Sequence, residues 1–377
     1  VLILASILAI FAYGMIAATL GTLLPDFSAR FGLTPRQNGQ IAFSQAMGLF
    51  IASLVVGPIM DSEGVKTGLV LGLTLAAIAL GALPRAGSFG AIAGLMFLLG
   101  WGGGTIVTGA NALASAVSET HRATTLNLVN LFFGLGGLAT PLISANLLKK
   151  NSASLCYLMC AITVVTLGIH LATAMPPASG TQSFVIGQAA TILEKPVLFL
   201  LALFLFLYVA CEVGVWNWLP QHLIAQGISE PKALNILSLG FALGLLVGRV
   251  AVSPILISVP ATTVLLAAPV GMAITTWLML RANRAGAAGI AVFLAGVSMA
   301  PVFPTTLAIV GDRFPQMAST ALGIVVAAGW LGLALSSRVI GAIAGGETKR
   351  LRSALTVIPV SALIMIGLDL AIKSVGP

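Results

Sequence analysis

Twelve stretches of roughly 20–30 mostly apolar residues follow one another along this chain, separated by short polar breaks. A bilayer core of about 30 Å takes about 20 residues of helix to cross. Backbone facing lipid must satisfy its own hydrogen bonds, so such runs fold as helices. The breaks fall near residues 26–38, 61–66, 84–88, 119–123, 149–152, 176–195, 222–232, 249–260, 281–284, 312–316 and 345–352. The expected fold is therefore all-α and integral to the membrane, with twelve transmembrane helices in two six-helix bundles. The longest break gives the domain organisation: residues 1–175, a central linker at 176–195, and residues 196–377. Composition agrees, since 58% of residues are hydrophobic and only 7% are charged, against about 25% charged in soluble domains.

The two halves are related. A shift of 195 positions lays Phe11, Tyr13, Leu24, Pro25 and Gly32 on Phe206, Tyr208, Leu219, Pro220 and Gly227 without a gap. Internal repeats mark secondary transporters, whose solute sites lie near the membrane midplane. The overlay sets Glu212 opposite Ala17 and Asn217 opposite Thr22, so the symmetry breaks at the ionisable position.

Glu212 lies inside the apolar run 196–220. A carboxylate at that depth costs at least about 2.5–3.5 kcal/mol and reads by default as an ion, proton or solute site. Trp216, Asn217 and Trp218 follow it closely. The net charge of +8 is spread singly and in pairs, with no basic stripe for nucleic acid. Cys156, Cys160 and Cys211 all lie in apolar runs, which fits neither a disulfide framework nor a metal pair. No serine has a histidine–acid set to activate it, and Gly102-Gly103-Gly104 lacks the lysine of a phosphate-binding loop. Enzyme chemistry and a cofactor are therefore not expected.

After the second run come Gly57, Asp61, Gly64 and Lys66 in the order Gly-Pro-Ile-Met-Asp-Ser-Glu-Gly-Val-Lys. This resembles the G-x-x-x-D-R-x-G-R/K signature of the major facilitator superfamily, with Ser62 in place of the usual basic residue. Gly57 would allow close helix contact, Asp61 would cap the next helix or pair with a cation, and Gly64 would turn the chain. Such a cluster can latch one conformation; Arg249, after Gly248, is grouped with it as a gating residue.

The stretches Gly102–Asn111 and Thr125–Gly136, with Pro301-Val-Phe-Pro304-Thr305 and Leu246-Val-Gly248-Arg249, are similar to the fucose/glucose permease (fucose–proton symporter) branch. That resemblance implies alternating access and a monosaccharide solute. The acids of the fucose permease's first and fourth helices correspond to Gly21 and Val107, which cannot titrate, so its proton scheme does not carry over. Tyr208-Val-Ala-Cys-Glu212 resembles the Tyr-Val-Gly-Ala-Glu run of glucose transporters in the branch. Glu212 is thus the candidate coupling site, with H+ or Na+ as the candidate ion.

Amides offer donors and an acceptor to sugar hydroxyls, and aromatic faces suit a pyranose. The candidate solute-binding residues are Gln45, Asn111, Asn127, Asn130, Tyr208, Trp216 and Asn217. An asparagine in a membrane helix also serves to bond a neighbouring helix. Two other readings stay open: an exporter of amphipathic or drug-like compounds, and a non-transporting receptor of the same fold. The expected partners are a small solute and surrounding lipid, with the protein monomeric in the plasma (inner) membrane. Family topology puts the Asp61 loop and the central linker in the cytoplasm. It leaves eleven of eighteen basic residues outside, among them Lys149, Lys150 and Lys349. The positive-inside rule favours the reverse; the family orientation is kept on the Asp61 motif and the repeat.

Overall fold

A computed structural model describes residues 1–148, 151–177, 192–345 and 350–375. Residues 178–191 of the central linker, and Lys149, Lys150 and Lys349, lie outside the described residues. Twelve helices are long and apolar enough to cross a membrane: α1 Leu2–Phe31, α2 Arg36–Glu63, α3 Val65–Arg85, α4 Phe89–Val117, α5 Arg122–Leu147, α6 Ser152–Ala172, α7 Pro196–Ala225, α8 Glu230–Ser258, α9 Ala261–Arg281, α10 Ala285–Arg313, α11 Pro315–Ala344 and α12 Leu351–Ser374. No strand occurs among the described residues.

Local chemistry sets the helix ends. Thr34 and Gln37 form a reciprocal capping box before α2, with Thr34 N–H donating to Gln37 Oε1 at 2.9 Å. Ser88 and Asn151 accept from the Ala91 and Ser154 amides at the starts of α4 and α6. Gly32 ends α1 in the left-handed region at φ 59°, and Gly64 turns the chain between α2 and α3 at φ 91°. In α10 the α-helical pieces Ala285–Met299 and Val302–Arg313 flank Pro301, which has no N–H to donate. A π-helical segment, Ile236–Ala242, lies within α8.

The chain divides into two compact units. One comprises Val1–Thr120, Val129–Ile192 and Phe314–Ala327; the other comprises His121–Leu128, Leu193–Arg313 and Ala328–Pro377. Each is built largely from one half of the sequence and takes one segment from the other half.

The repeat reaches well beyond the first helix of each half, and glycine contacts show it. In the first unit Gly48 packs on the Phe97 carbonyl and Gly100 on the Gln45 carbonyl, joining α2 to α4. In the second, Gly244 packs on the Phe293 carbonyl and Gly296 on the Phe241 carbonyl, joining α8 to α10 at an offset of 196 positions (Gly48 to Gly244). Elsewhere the small partner has changed sides. Gly14 of α1 lies on Phe133 of α5, whereas the matching pair has Val209 of α7 on Gly329 of α11. Gly104 meets Ala52, and its counterpart Ala300 meets Gly248.

A Cβ at Gly100 would overlap the Gln45 backbone, while one at Gly94 of the same helix would meet nothing within 4 Å. Overpacking of this kind costs about 1–3 kcal/mol. Gly100→Ala is expected to lower the thermal unfolding midpoint in detergent by several degrees, and Gly94→Ala is not. Equal midpoints would refute the close crossing.

Two expected breaks move. The sequence breaks near 222–232 and 249–260 begin at charged or polar residues, but α7 runs on to Ala225 and α8 to Ser258. His222 and Arg249 are both buried, at 0% and 5% exposure. A lone polar residue does not end a helix whose backbone remains fully bonded, so Arg249 lies within a span instead of at its edge.

Candidate functional site

The Asp61 motif is built into the first unit. Asp61 does not cap the next helix. Its carboxylate reaches 258 residues along the sequence to the first turn of the α-helical part of α11. Ser319 N–H donates to Asp61 Oδ1 at 3.0 Å; Thr320 N–H and Thr320 Oγ1 donate to Oδ2 at 2.8 and 2.6 Å. The first amides of a helix have no partner within it, and the helix dipole favours an anion there. A Cβ on Gly57 would come within 2.6 Å of the Ser319 carbonyl oxygen, and Gly323 of α11 packs on the Ser53 carbonyl. Glycine on both sides thus lets α2 and α11 approach closely enough for Asp61 to reach.

Lys66 does something different. Its Nζ donates to the Leu171 and Thr173 carbonyls at 2.7 and 3.0 Å, closing the end of α6. Arg249 sits in α8 of the second unit.

The amides separate into two sets. Asn130 Nδ2 donates to Asn111 Oδ1 at 2.6 Å, and Asn111 Nδ2 donates to the Val107 carbonyl at 2.7 Å. This couples α5 to α4 in the first unit, where Gln45 of α2 is also buried. Asn127 shares a helical face with Asn130 but belongs to the second unit. Its Nδ2 donates to the Ala123 carbonyl and, at 3.2 Å, to Thr305 Oγ1 of α10. Thr124 Oγ1 donates to the Ser253 carbonyl of α8, and Arg122 is ion-paired with Asp312 of α10.

The acid and aromatics predicted on α7 gather within the second unit. Glu212 is half-buried, and Tyr208 one turn before it is fully buried. The Tyr208 hydroxyl has no hydrogen bond of regular geometry. The Glu212 carboxylate and the Arg249 guanidinium both act on it electrostatically. Trp216 is 36% exposed and meets Phe241 of the π-helical segment edge-on, with ring centroids 5.3 Å apart. Asn217 is exposed, and its Nδ2 donates to Ser337 Oγ of α11 at 2.9 Å. An acid, an amide and an indole edge, all at least partly accessible, offer an acceptor, donors and an apolar face on one helix.

Sequence reasoning missed several partners. Ser319, Thr320, Thr305 and Ser337 are small hydroxyl residues with no sequence signal of their own. Asp369 of α12 did carry one, an acid in an apolar run with Lys373 four residues later. It is buried and its Oδ2 lies 2.8 Å from Lys373 Nζ. No group of three or more metal-ligating side chains occurs among the described residues.

The family model of the Major Facilitator Superfamily matches residues 4–368. The chain is 24% identical to the glucose/mannose transporter GlcP of Bacillus subtilis over 382 residues, covering 96% of this chain and 92% of that one. It is 26% identical to a glucose/galactose transporter of Brucella abortus over 259 residues, 63% of each chain. Among solved structures, that of the transporter FucP in an outward conformation superposes with a TM-score of 0.86 at 18% identity, over 98% of both chains.

Proposed function

The chain belongs to the Major Facilitator Superfamily, and we propose that this multi-pass membrane transporter moves a monosaccharide by alternating access in the plasma membrane. The observation that carries the proposal is the grouping on α7 of Glu212, Trp216 and Asn217, accessible within a span, above the buried Tyr208. An intramembrane acid is costly unless it is used, and a solute bearing many hydroxyls uses carboxylate, amide and indole together. The relatives named for glucose, mannose and galactose point to the same solute class.

In this reading Trp216 and Asn217 meet the sugar directly. Asn127 and Tyr208 support that surface from within the second unit, and Gln45, Asn111 and Asn130 are the solute-binding candidates of the first unit. Glu212 binds H+ or Na+ and so couples the sugar to an ion gradient. Gly57, Asp61 and Gly64 latch α2 to α11 and release during the cycle.

The test is counterflow of labelled glucose in proteoliposomes without any ion gradient. Counterflow requires binding and alternating access but no coupling. Saturable exchange, suppressed by excess unlabelled mannose or galactose, is the expected result. Folded protein that exchanges none of these hexoses would overturn the proposal, and competition by hydrophobic cations alone would favour an exporter.

A further inference from the structure

We infer that Arg249 is a positioning residue that holds Glu212 through Tyr208 and links this acid to the start of α5. The inference rests on the reading of Glu212 as the coupling site.

Three observations converge on it. The first is the register of α7 and α8, which are joined by a short turn and run antiparallel. Trp216 and Phe241 touch across them. Tyr208 lies eight residues before Trp216, and Arg249 eight residues after Phe241. At 1.5 Å per residue, both lie about 12 Å from that contact in the same direction, so they lie at one depth on neighbouring helices. The second is the Tyr208 hydroxyl, which is fully buried and lacks a regular hydrogen bond, while the Glu212 carboxylate and the Arg249 guanidinium both act on it.

The third comes from the repeat. The offset of 196 carries Ser53 to Arg249 and Gly323 to Asn127. Gly323 packs on Ser53 in the first unit, so the repeat sets Asn127 against Arg249 in the second. The neighbouring contact follows the same rule: Gly57 on Thr320 becomes Ser253 bonded to Thr124. Position 53 carries a small hydroxyl in the first half, and the matching position 249 carries a buried cation; the first half also has Ala17 where the second has Glu212.

A buried arginine in a span is tolerated where it compensates another charge. With Glu212 ionised, the guanidinium balances it and the Tyr208 hydroxyl can donate to the carboxylate. When Glu212 takes up a proton or a cation, that demand on Tyr208 and Arg249 ends, and Arg249 is left to the α5 side, where Asn127 and Thr305 are joined. Occupancy of Glu212 is thereby felt at the α5 segment, whose Arg122 is ion-paired with Asp312.

The experiment compares two quantities in proteoliposomes, using labelled glucose as the probe. One is the accumulation ratio under an imposed inward H+ or Na+ gradient; the other is gradient-free counterflow. Arg249→Gln is expected to bring the accumulation ratio to about 1 while counterflow falls far less. Arg249→Lys should recover part of the ratio, and Tyr208→Phe should lower it in the same direction. Equal losses of accumulation and counterflow in Arg249→Gln and Arg249→Lys would reduce Arg249 to a structural role and overturn the inference. If Arg249→Gln does not fold, Arg249→Lys and Tyr208→Phe decide by the same ratio. A Glu212→Gln protein that still accumulates glucose would instead refute the coupling reading itself.

Discussion

Replacing Asp61 by alanine is expected to release α11 from α2 and to change the conformer balance by about two orders of magnitude. Three donors converge on this carboxylate at 2.6–3.0 Å. Hydrogen bonds to a charged group are worth about 1.5–3 kcal/mol each. Losing the net value of two gives about 3 kcal/mol, and every 1.4 kcal/mol is a factor of ten. A cysteine at position 53 reports the change, because Ser53 is fully buried beneath Gly323 in this conformer. Its alkylation should be slow with Asp61 in place and about 10- to 100-fold faster in the Asp61→Ala background. Transport should slow as well, since a cycle stalls when one of its states loses its support. Unchanged labelling and unchanged transport would show that the three bonds are ornamental. Lys66→Ala should not reproduce the labelling change, because Lys66 bonds the Leu171 and Thr173 carbonyls at the end of α6.

The second large effect is at Glu212. Glu212→Gln removes the titratable group but keeps the shape and much of the hydrogen bonding. Uphill accumulation of glucose should be lost and counterflow should be retained in larger part. The asymmetry is the point of the measurement. A group that only couples affects work against a gradient, while a group that only binds sugar affects both assays alike. Equal losses would move Glu212 from coupling to solute recognition.

Much of the architecture could be read from the order of residues because a bilayer leaves the backbone so few options. Run length alone gave twelve spans. The repeat was visible at five positions of α1 and α7, yet its better evidence lies in α2, α4, α8 and α10. There the signal is a glycine facing a particular backbone carbonyl, and among 42 glycines the sequence does not say which helices cross. Asp61 was recognisable as a capping acid, but its target is 258 residues away and consists of plain backbone amides. Arg249 was misread because a charge in an apolar run resembles the end of a span. Only the packing of α8 shows it buried. The paired amides show the same limit. Asn127 and Asn130 share a face by spacing, and yet one bonds to Thr305 and the other to Asn111.

The exchanged small residues carry information about ancestry. Gly14 against Phe133 in one half answers Val209 against Gly329 in the other. If both descend from one duplicated crossing, either the ancestor was small at both positions and each half enlarged a different one, or one half changed both. Gaining the bulky side chain first would have driven it into the opposing helix; losing the old one first would have left only a gap. A gap of this size is a tolerable defect, whereas interpenetrating helices are not a fold. On either route the crossing passed through a form that was small on both helices.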